Sequence, residues 1–143
     1  MENKYDFKRF IDAHRYSFDI ALAEIKNGRK ESHWMWYIFP QILGLGFSPT
    51  SQYYAITDLE EARAFLNDKY LGSNLFKICE ALLELKTNDP HKIFGYPDDL
   101  KLKSSMTLFA LAAPEISTFN EILEKFYNGE KCHLTEEIIK NIK

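Results

Sequence analysis

Two stretches of this 143-residue chain gather side chains that could do chemistry. The first is HWMWYIFPQ, residues 33–41, which sets Trp34, Trp36, Tyr37 and Phe39 beside His33 and Gln41. In a helical turn His33 and Tyr37 share one side, Trp34 and Ile38 a second, and Trp36 and Pro40 a third. Aromatic surface on three sides cannot all face one core. Both indole N–H groups, the imidazole and the carboxamide need hydrogen-bond partners if they are buried. Aromatic walls with a few converging polar groups are what small-molecule pockets are made of. A buried central packing element is the competing reading of the same residues.

The second stretch is PDDLKLKSSMTLF, residues 97–109. A helix beginning near Asp98 puts Asp98, Lys101 and Ser105 on one face and turns Met106 and Phe109 to the core. Asp98 or Asp99 would serve as N-cap, and Lys101 and Lys103 as ordinary solvated charges. Ser104, Ser105 and Thr107 are harder to place. Hydroxyls in the middle of a helix are neutral to unfavourable, so they imply back-bonding, close helix packing or contacts to a ligand. A helix start also offers free N–H groups to an anion, with Lys101 in the first turn. Two aspartates at that end repel a bare anion and favour recognition of hydroxyls, as on a ribose, or a general base.

These residues define the expected site. His33 and Asp99 are the catalytic candidates; Trp34, Trp36, Gln41, Asp98, Lys101, Ser104 and Ser105 are the ligand-binding ones. The expected ligand is nucleotide-like or a sugar phosphate. If there is a reaction, it is hydrolysis of an N-glycosidic bond, a carboxylate activating water while His33 or a lysine assists the leaving group. The alternative is a protein–protein interaction module without catalysis, with the HWMWY turn as its anchor. No phosphate loop, dinucleotide fingerprint or ordered Ser–His–Asp pattern is present. Both site readings require the two stretches to face each other across a hollow.

The elements that must position them read as helices. Phe7, Phe10, Ile11, Phe18, Leu22 and Ile25 recur at helical spacing between Asp6, a potential cap, and Gly28, a stop signal. Ser32 is a cap candidate for a short turn ended by Pro40. Ser48–Pro49 opens another helix, and Thr57 with Glu60 forms a capping box ahead of Leu59, Ala62 and Leu66. Leu71, Leu75, Ile78, Cys79, Leu82 and Leu85 line a further helix. Asp89–Pro90 restarts the chain, and Gly95 with Pro97 interrupts it. Leu102, Met106, Phe109 and Ala113 share one face of the next helix. Thr118 with Glu121 makes a second capping box. Thr135 opens a last helix, Leu134 and Ile139 forming a hydrophobic staple. MTLFAL is the one strand candidate, and it alternates poorly. The expected architecture is all-α, one multi-helix domain over residues 1–143 with short irregular connections.

Composition bounds the rest. A hydrophobic share of 45% with 15% aromatics excludes a disordered chain. A net charge of −3 with no basic run gives nucleic-acid binding little support. Cys79 and Cys132 show no paired spacing, so neither a disulfide framework nor a zinc cluster is expected. No cofactor or metal is called for. The absence of a signal-like N-terminus and of any membrane-length apolar run makes the cytoplasm the expected location, without membrane attachment.

Several segments together resemble a bacterial family of unknown function, domain-of-unknown-function family 1810, often labelled calpastatin. They are GRKESHWMWYIFPQILGLGFSPTSQYYAI, LEEARAFLND, the LG at 71–72, and IFGYPDDLKLKSSMTLFALAAP, spread from about Tyr5 to Phe126. The resemblance implies a mostly helical fold and a bacterial cytoplasmic setting, with no activity attached. Calpastatin repeats are disordered, and a chain this aromatic and regularly capped is not. KIFGYPDDLKLKSSMTLF is also similar in outline to the late segment of N-glycosidases acting on riboflavin-pathway intermediates and ADP-ribosylated guanine. The upstream glutamate motif of those enzymes has no counterpart here.

Overall fold

The computed structural model describes residues 5–142. Nine helices lie among the described residues: α1 (Lys8–Lys26), α2 (Met35–Ile38), α3 (Pro49–Tyr53), α4 (Leu59–Asn67), α5 (Lys69–Glu84), α6 (Pro90–Phe94), α7 (Asp98–Ala112), α8 (Thr118–Tyr127) and α9 (His133–Asn141). The all-α expectation holds, and MTLFAL lies inside α7. None of the described helices is long and apolar enough to cross a membrane.

α1 starts where Asp6 accepts a hydrogen bond from the Lys8 N–H, and it buries Phe10, Phe18, Ala21 and Ile25. It closes at Gly28, whose φ of 77° lets its N–H and that of Arg29 reach back to the Ile25 and Glu24 carbonyls. α5 packs along α1 and carries Leu71, Leu75, Ile78 and Leu82 into the core. It begins two residues before the apolar pattern does, because Asp68 accepts the Tyr70 and Leu71 N–H groups. The same residue ends α4, so the two helices join without a spacer. Their crossing is tight: a Cβ at Gly72 would lie 2.1 Å from the Leu66 carbonyl oxygen.

α7 runs through the middle, packed by α4, α6, α8 and α9. The one-faced pattern expected for it is corrected. From Leu102 to Ala112 it is buried on almost every side, because helices cover it all round. The Thr107 hydroxyl accordingly does structural duty. Thr107 Oγ1 donates to the Lys103 carbonyl at 2.8 Å and accepts the Cys132 N–H at 2.9 Å, tying α9 to α7.

Several caps sit one to three residues from their expected places. Ser48 and Asp89 cap α3 and α6 as read. At α4 the cap is Asp58, not Thr57, and the carboxylate reaching back is that of Glu61, which accepts both the N–H and the hydroxyl of Thr57. At α8 Ser117 is the N-cap residue, its hydroxyl bonded to Glu121. At α9 Cys132 is the N-cap, and Leu134 is 66% exposed, so the expected staple does not form. Ser32 caps nothing; its N–H and hydroxyl both go to Glu24.

A polar group that periodicity could not flag sits between α1, α2 and α5. His14 is 1% exposed. Its Nε2 lies 2.8 Å from the Tyr37 carbonyl oxygen and its Nδ1 lies 3.1 Å from the Asn74 amide nitrogen. A carbonyl only accepts, so the proton belongs on Nε2, and Nδ1 accepts from the Asn74 amide. Burial pushes the imidazole pKa down to about 4.

Candidate functional site

The segment after α2 leaves the helical bundle and returns to it. Gln41 accepts the Ile56 N–H through its carbonyl at 2.9 Å, and Leu43 donates to the Ile56 carbonyl at 2.8 Å, an isolated parallel bridge at the neck of the excursion. Residues 43–54 between those strands of contact contain no buried residue. They lean over the first two turns of α7 and enclose a cleft of about 190 Å³ lined by Gln41, Leu45, Gly46, Ser51, Lys101 and Ser104, with Pro97 and Leu100 on its edge. Gln41, Gly46 and Ser51 also line a recess of about 20 Å³ behind it, walled by Trp36 and Tyr54, about the size that admits one water.

The two chemistry-bearing stretches therefore meet, through Trp36 and Lys101. The Lys101 ammonium lies 5.3 Å from the centre of the Trp36 ring, within cation–π range. It is also 3.5 Å from Asp98 Oδ1, while Lys30 holds Asp98 Oδ2 at 2.9 Å. Asp98 is thus a bridge that sets Lys101 in place from the rim. Among the described residues the Gln41 carboxamide and the Trp36 indole N–H make no side-chain hydrogen bond within the protein. Gln41 lines both hollows and Trp36 the recess.

Other expected site residues go elsewhere. Trp34 is 1% exposed, and its indole N–H donates to Glu24 Oε1 at 2.8 Å. Glu24 is the pin of the whole turn: Oε1 also accepts the Glu31 and Ser32 N–H groups, and Oε2 accepts the Ser32 hydroxyl at 2.5 Å. Burial works to raise its pKa, but these donors outweigh burial and hold it down at about 2. Trp34 belongs to the core because its one polar atom is already satisfied there. His33 is exposed and lines neither hollow. Asp99 does not line them either; its Oδ1 accepts the Leu100 N–H at 2.9 Å and its Oδ2 is 3.5 Å from His91. Neither expected catalytic residue is at the cleft.

Ser105 is fully buried, and its hydroxyl has no hydrogen-bond partner. Ser104 does reach the cleft, with its hydroxyl donating toward the Leu100 carbonyl at 3.2 Å and toward Cys132 Sγ at 3.3 Å. The two neighbours should therefore respond oppositely to loss of the hydroxyl. Ser105→Ala is expected to stabilise the fold by about 1 kcal/mol, since an unpaired buried polar group is removed. Thr107→Val is expected to cost about 1–2 kcal/mol, since the Cys132 N–H is left unpaired. Urea unfolding midpoints at constant slope would show both signs.

Sequence reasoning missed Ser51, Tyr54, Leu45 and Gly46. The signal for Leu45 and Gly46 was the glycine-rich turn GLGFSP, which read only as irregular; Ser51 and Tyr54 follow it, on α3 and at its C-cap.

An all-α domain with a small polar cleft between a tethered surface loop and the start of its central helix is the class that fold and site define. The chain belongs to the DUF1810 family, described as proteins of unknown function, whose family profile matches residues 4–139. A solved structure similar to it is that of the conserved hypothetical protein Rv1873 from Mycobacterium tuberculosis. The two are 39% identical with a TM-score of 0.95, over 98% of this chain and 100% of that one. The comparison with curated proteins gave no match.

Proposed function

We propose that the cleft binds a small ligand joining a flat ring to a hydroxyl- or phosphate-bearing group, of the nucleotide-like or sugar-phosphate kind. One observation carries this reading: Gln41, whose carboxamide is uncommitted, lines both the cleft that Lys101 lines and the recess that Trp36 walls, and the Lys101 ammonium lies 5.3 Å from the Trp36 ring. At about 190 Å³ the cleft falls below the range of roughly 300–1,000 Å³ usual for whole drug-sized ligands. It suits one ring or one sugar, with the remainder of the ligand lying across the exposed Phe47, Tyr96 and Leu100. Lys101 supplies the positive charge, Gln41 and Ser104 the hydrogen bonds. Binding is the activity proposed. Glycosidic hydrolysis needs His33 or Asp99 at the cleft and is the weaker part of the reading.

A thermal-shift panel of AMP, ADP-ribose, ribose 5-phosphate and inorganic phosphate tests it. At least one ring-bearing compound is expected to raise the melting temperature by several degrees at about 100 times its Kd, equivalent to about 2.7 kcal/mol. Lys101→Ala and Gln41→Ala should each weaken that ligand about tenfold or more while leaving the apo melting temperature within about 1 kcal/mol equivalent. A flat response across the panel defeats the proposal.

The second reading, an interaction module, is favoured by one feature: Phe47, Tyr53 and Tyr96 are 80%, 59% and 75% exposed. Aromatic residues of this kind anchor interfaces. A partner that binds wild type, but not a Phe47→Ala/Tyr96→Ala double variant with intact small-ligand binding, would establish it.

A further inference from the structure

Trp36 and Tyr54, which wall the recess, also line a larger hollow to which Gln41, Lys101 and Ser104 contribute nothing. It measures about 540 Å³ and is bounded by Trp36, Tyr37, Pro49, Thr50, Tyr53 and Tyr54. That volume lies inside the range of roughly 300–1,000 Å³ usual for small-molecule sites. Its walls come from two short elements. α2 supplies Trp36 and Tyr37, while Pro49 opens α3, which ends on Tyr53 with Tyr54 as its C-cap.

Those walls are fixed from behind. The Tyr37 carbonyl oxygen lies 2.8 Å from His14 Nε2, and the Tyr37 hydroxyl lies 2.9 Å from Ser17 Oγ. Arg9 Nε donates to the Tyr53 carbonyl at 2.7 Å, and the Tyr54 ring packs against Phe10 with centres 5.8 Å apart. The rings are steeply inclined to one another. Tyr37 and Tyr54 are 5.1 Å apart at 55°, and Tyr53 and Tyr54 are 4.8 Å apart at 80°. A flat guest stacked on Tyr53, which is 59% exposed, therefore stands nearly at right angles to Tyr54. Stacked and edge-to-face are the two arrangements that aromatic rings prefer.

Polar groups complete the description. The Trp36 indole N–H and the hydroxyls of Thr50, Tyr53 and Tyr54 make no hydrogen bond with any group among the described residues. None of the six lining residues is charged, which disfavours an anion seated against the rings. A cation is disfavoured too, because the Lys101 ammonium already lies 5.3 Å from the Trp36 ring centre and Arg9 is held at Tyr53. A sugar would bring several hydroxyls to walls that offer no carboxylate or carboxamide. A proline-rich strand needs a track of successive aromatic pockets, and here there is one group of six residues.

We infer that this hollow is a binding site for an uncharged heteroaromatic ring of nucleobase size, stacked on Tyr53 and edge-on to Tyr54, with the unpaired hydroxyl and indole groups bonding the nitrogens and oxygens of its rim. The site is separate from the cleft and does not need it.

The whole chain titrated with adenosine, an uncharged nucleoside, tests this. The protein has two tryptophans and so two indole N–H signals in a nitrogen–proton correlation spectrum. Trp36→Phe identifies which is which. Adenosine is expected to move the Trp36 signal saturably, with a Kd at or below about 1 mM. The Trp34 signal, fixed on Glu24, should stay in place. Tyr53→Ala should weaken adenosine about tenfold, and Tyr54→Phe about threefold or more. Both variants should keep the wild-type backbone spectrum, since Tyr53 is exposed and Tyr54→Phe retains the ring. Ribose 5-phosphate should not compete. An unmoved Trp36 signal at about 10 mM adenosine, unchanged affinity in both variants, or competition by ribose 5-phosphate overturns the inference. So does tighter binding of choline, glucose or a proline-rich peptide than of adenosine.

Discussion

Glu24→Ala is expected to destabilise the protein by about 3–4 kcal/mol, the largest loss from any single polar side chain. Its carboxylate receives four hydrogen bonds, from the Glu31 and Ser32 N–H groups, the Ser32 hydroxyl and the Trp34 indole. Hydrogen bonds to a charged group contribute roughly 1.5–3 kcal/mol each, and they do not add fully. Truncation also strands the indole N–H of a residue that is 1% exposed. Glu24→Gln keeps one oxygen for the three N–H donors and should cost about half as much. Urea unfolding measures both. Indole emission should shift to the red in Glu24→Ala as the turn loosens around Trp34. A loss below about 1 kcal/mol with unchanged emission would show that aromatic packing alone holds the turn.

Mild acid is expected to remove about 3 kcal/mol of stability between pH 6.5 and 4, and His14 is the reason. Its folded pKa is lowered from 6.5 to about 4 because burial disfavours the charged ring. The unfolded chain therefore binds a proton in this window that the folded chain refuses. Stability is complete above the unfolded pKa and falls as the pH drops toward the folded one. His14→Gln offers a donor and an acceptor without titrating. It should be less stable at pH 7 by about 1–2 kcal/mol, yet show little further loss down to pH 4.5. Glu24, lowered from 4.5 to about 2, adds its own loss only below pH 4.5, as protonation breaks its bonds. Denaturant melts at half-unit pH steps would separate the two windows. A wild-type curve flat from pH 6.5 to 4.5 would mean that His14 is not neutral in the fold.

The helices were legible because apolar spacing and punctuation agree: Ser48–Pro49, Asp89–Pro90 and Gly28 all do what those residues do locally. What was misread was settled from a distance. Ser32 looks like a cap, but a carboxylate eight residues back on α1 claims it. Nothing in the pattern of α1 marks Glu24 as more than a solvent-facing charge. The capping boxes moved by one residue: Asp58, beside Thr57, takes the Glu61 N–H, and Ser117, beside Thr118, donates its hydroxyl to the Glu121 carboxylate. For the three hydroxyls of α7 the sequence offered three explanations and could not divide them. Back-bonding takes Thr107 and also Ser104, which faces the cleft as well, and Ser105 is simply buried. At the candidate site, Trp36, Gln41, Lys101 and Ser104 were readable from residue type. Trp34 and His33 lie beside Trp36 in the chain, yet a helical turn sends the three in different directions.

The cleft has unequal walls. α7 is locked from Leu102 onward by neighbours on every side. The opposite wall, from Leu43 to Tyr54, has no fully buried residue; Leu45 and Tyr54 touch the core from its inner side, and it is anchored by its neck at Ile42 and Ile56 and by Arg9 reaching the Tyr53 and Ala55 carbonyls. One side of the hollow is built from surface positions and the other from the core. Changes of shape or taste in this cleft can accordingly be written into the exposed positions of that wall, while the bundle that keeps the protein folded is left untouched.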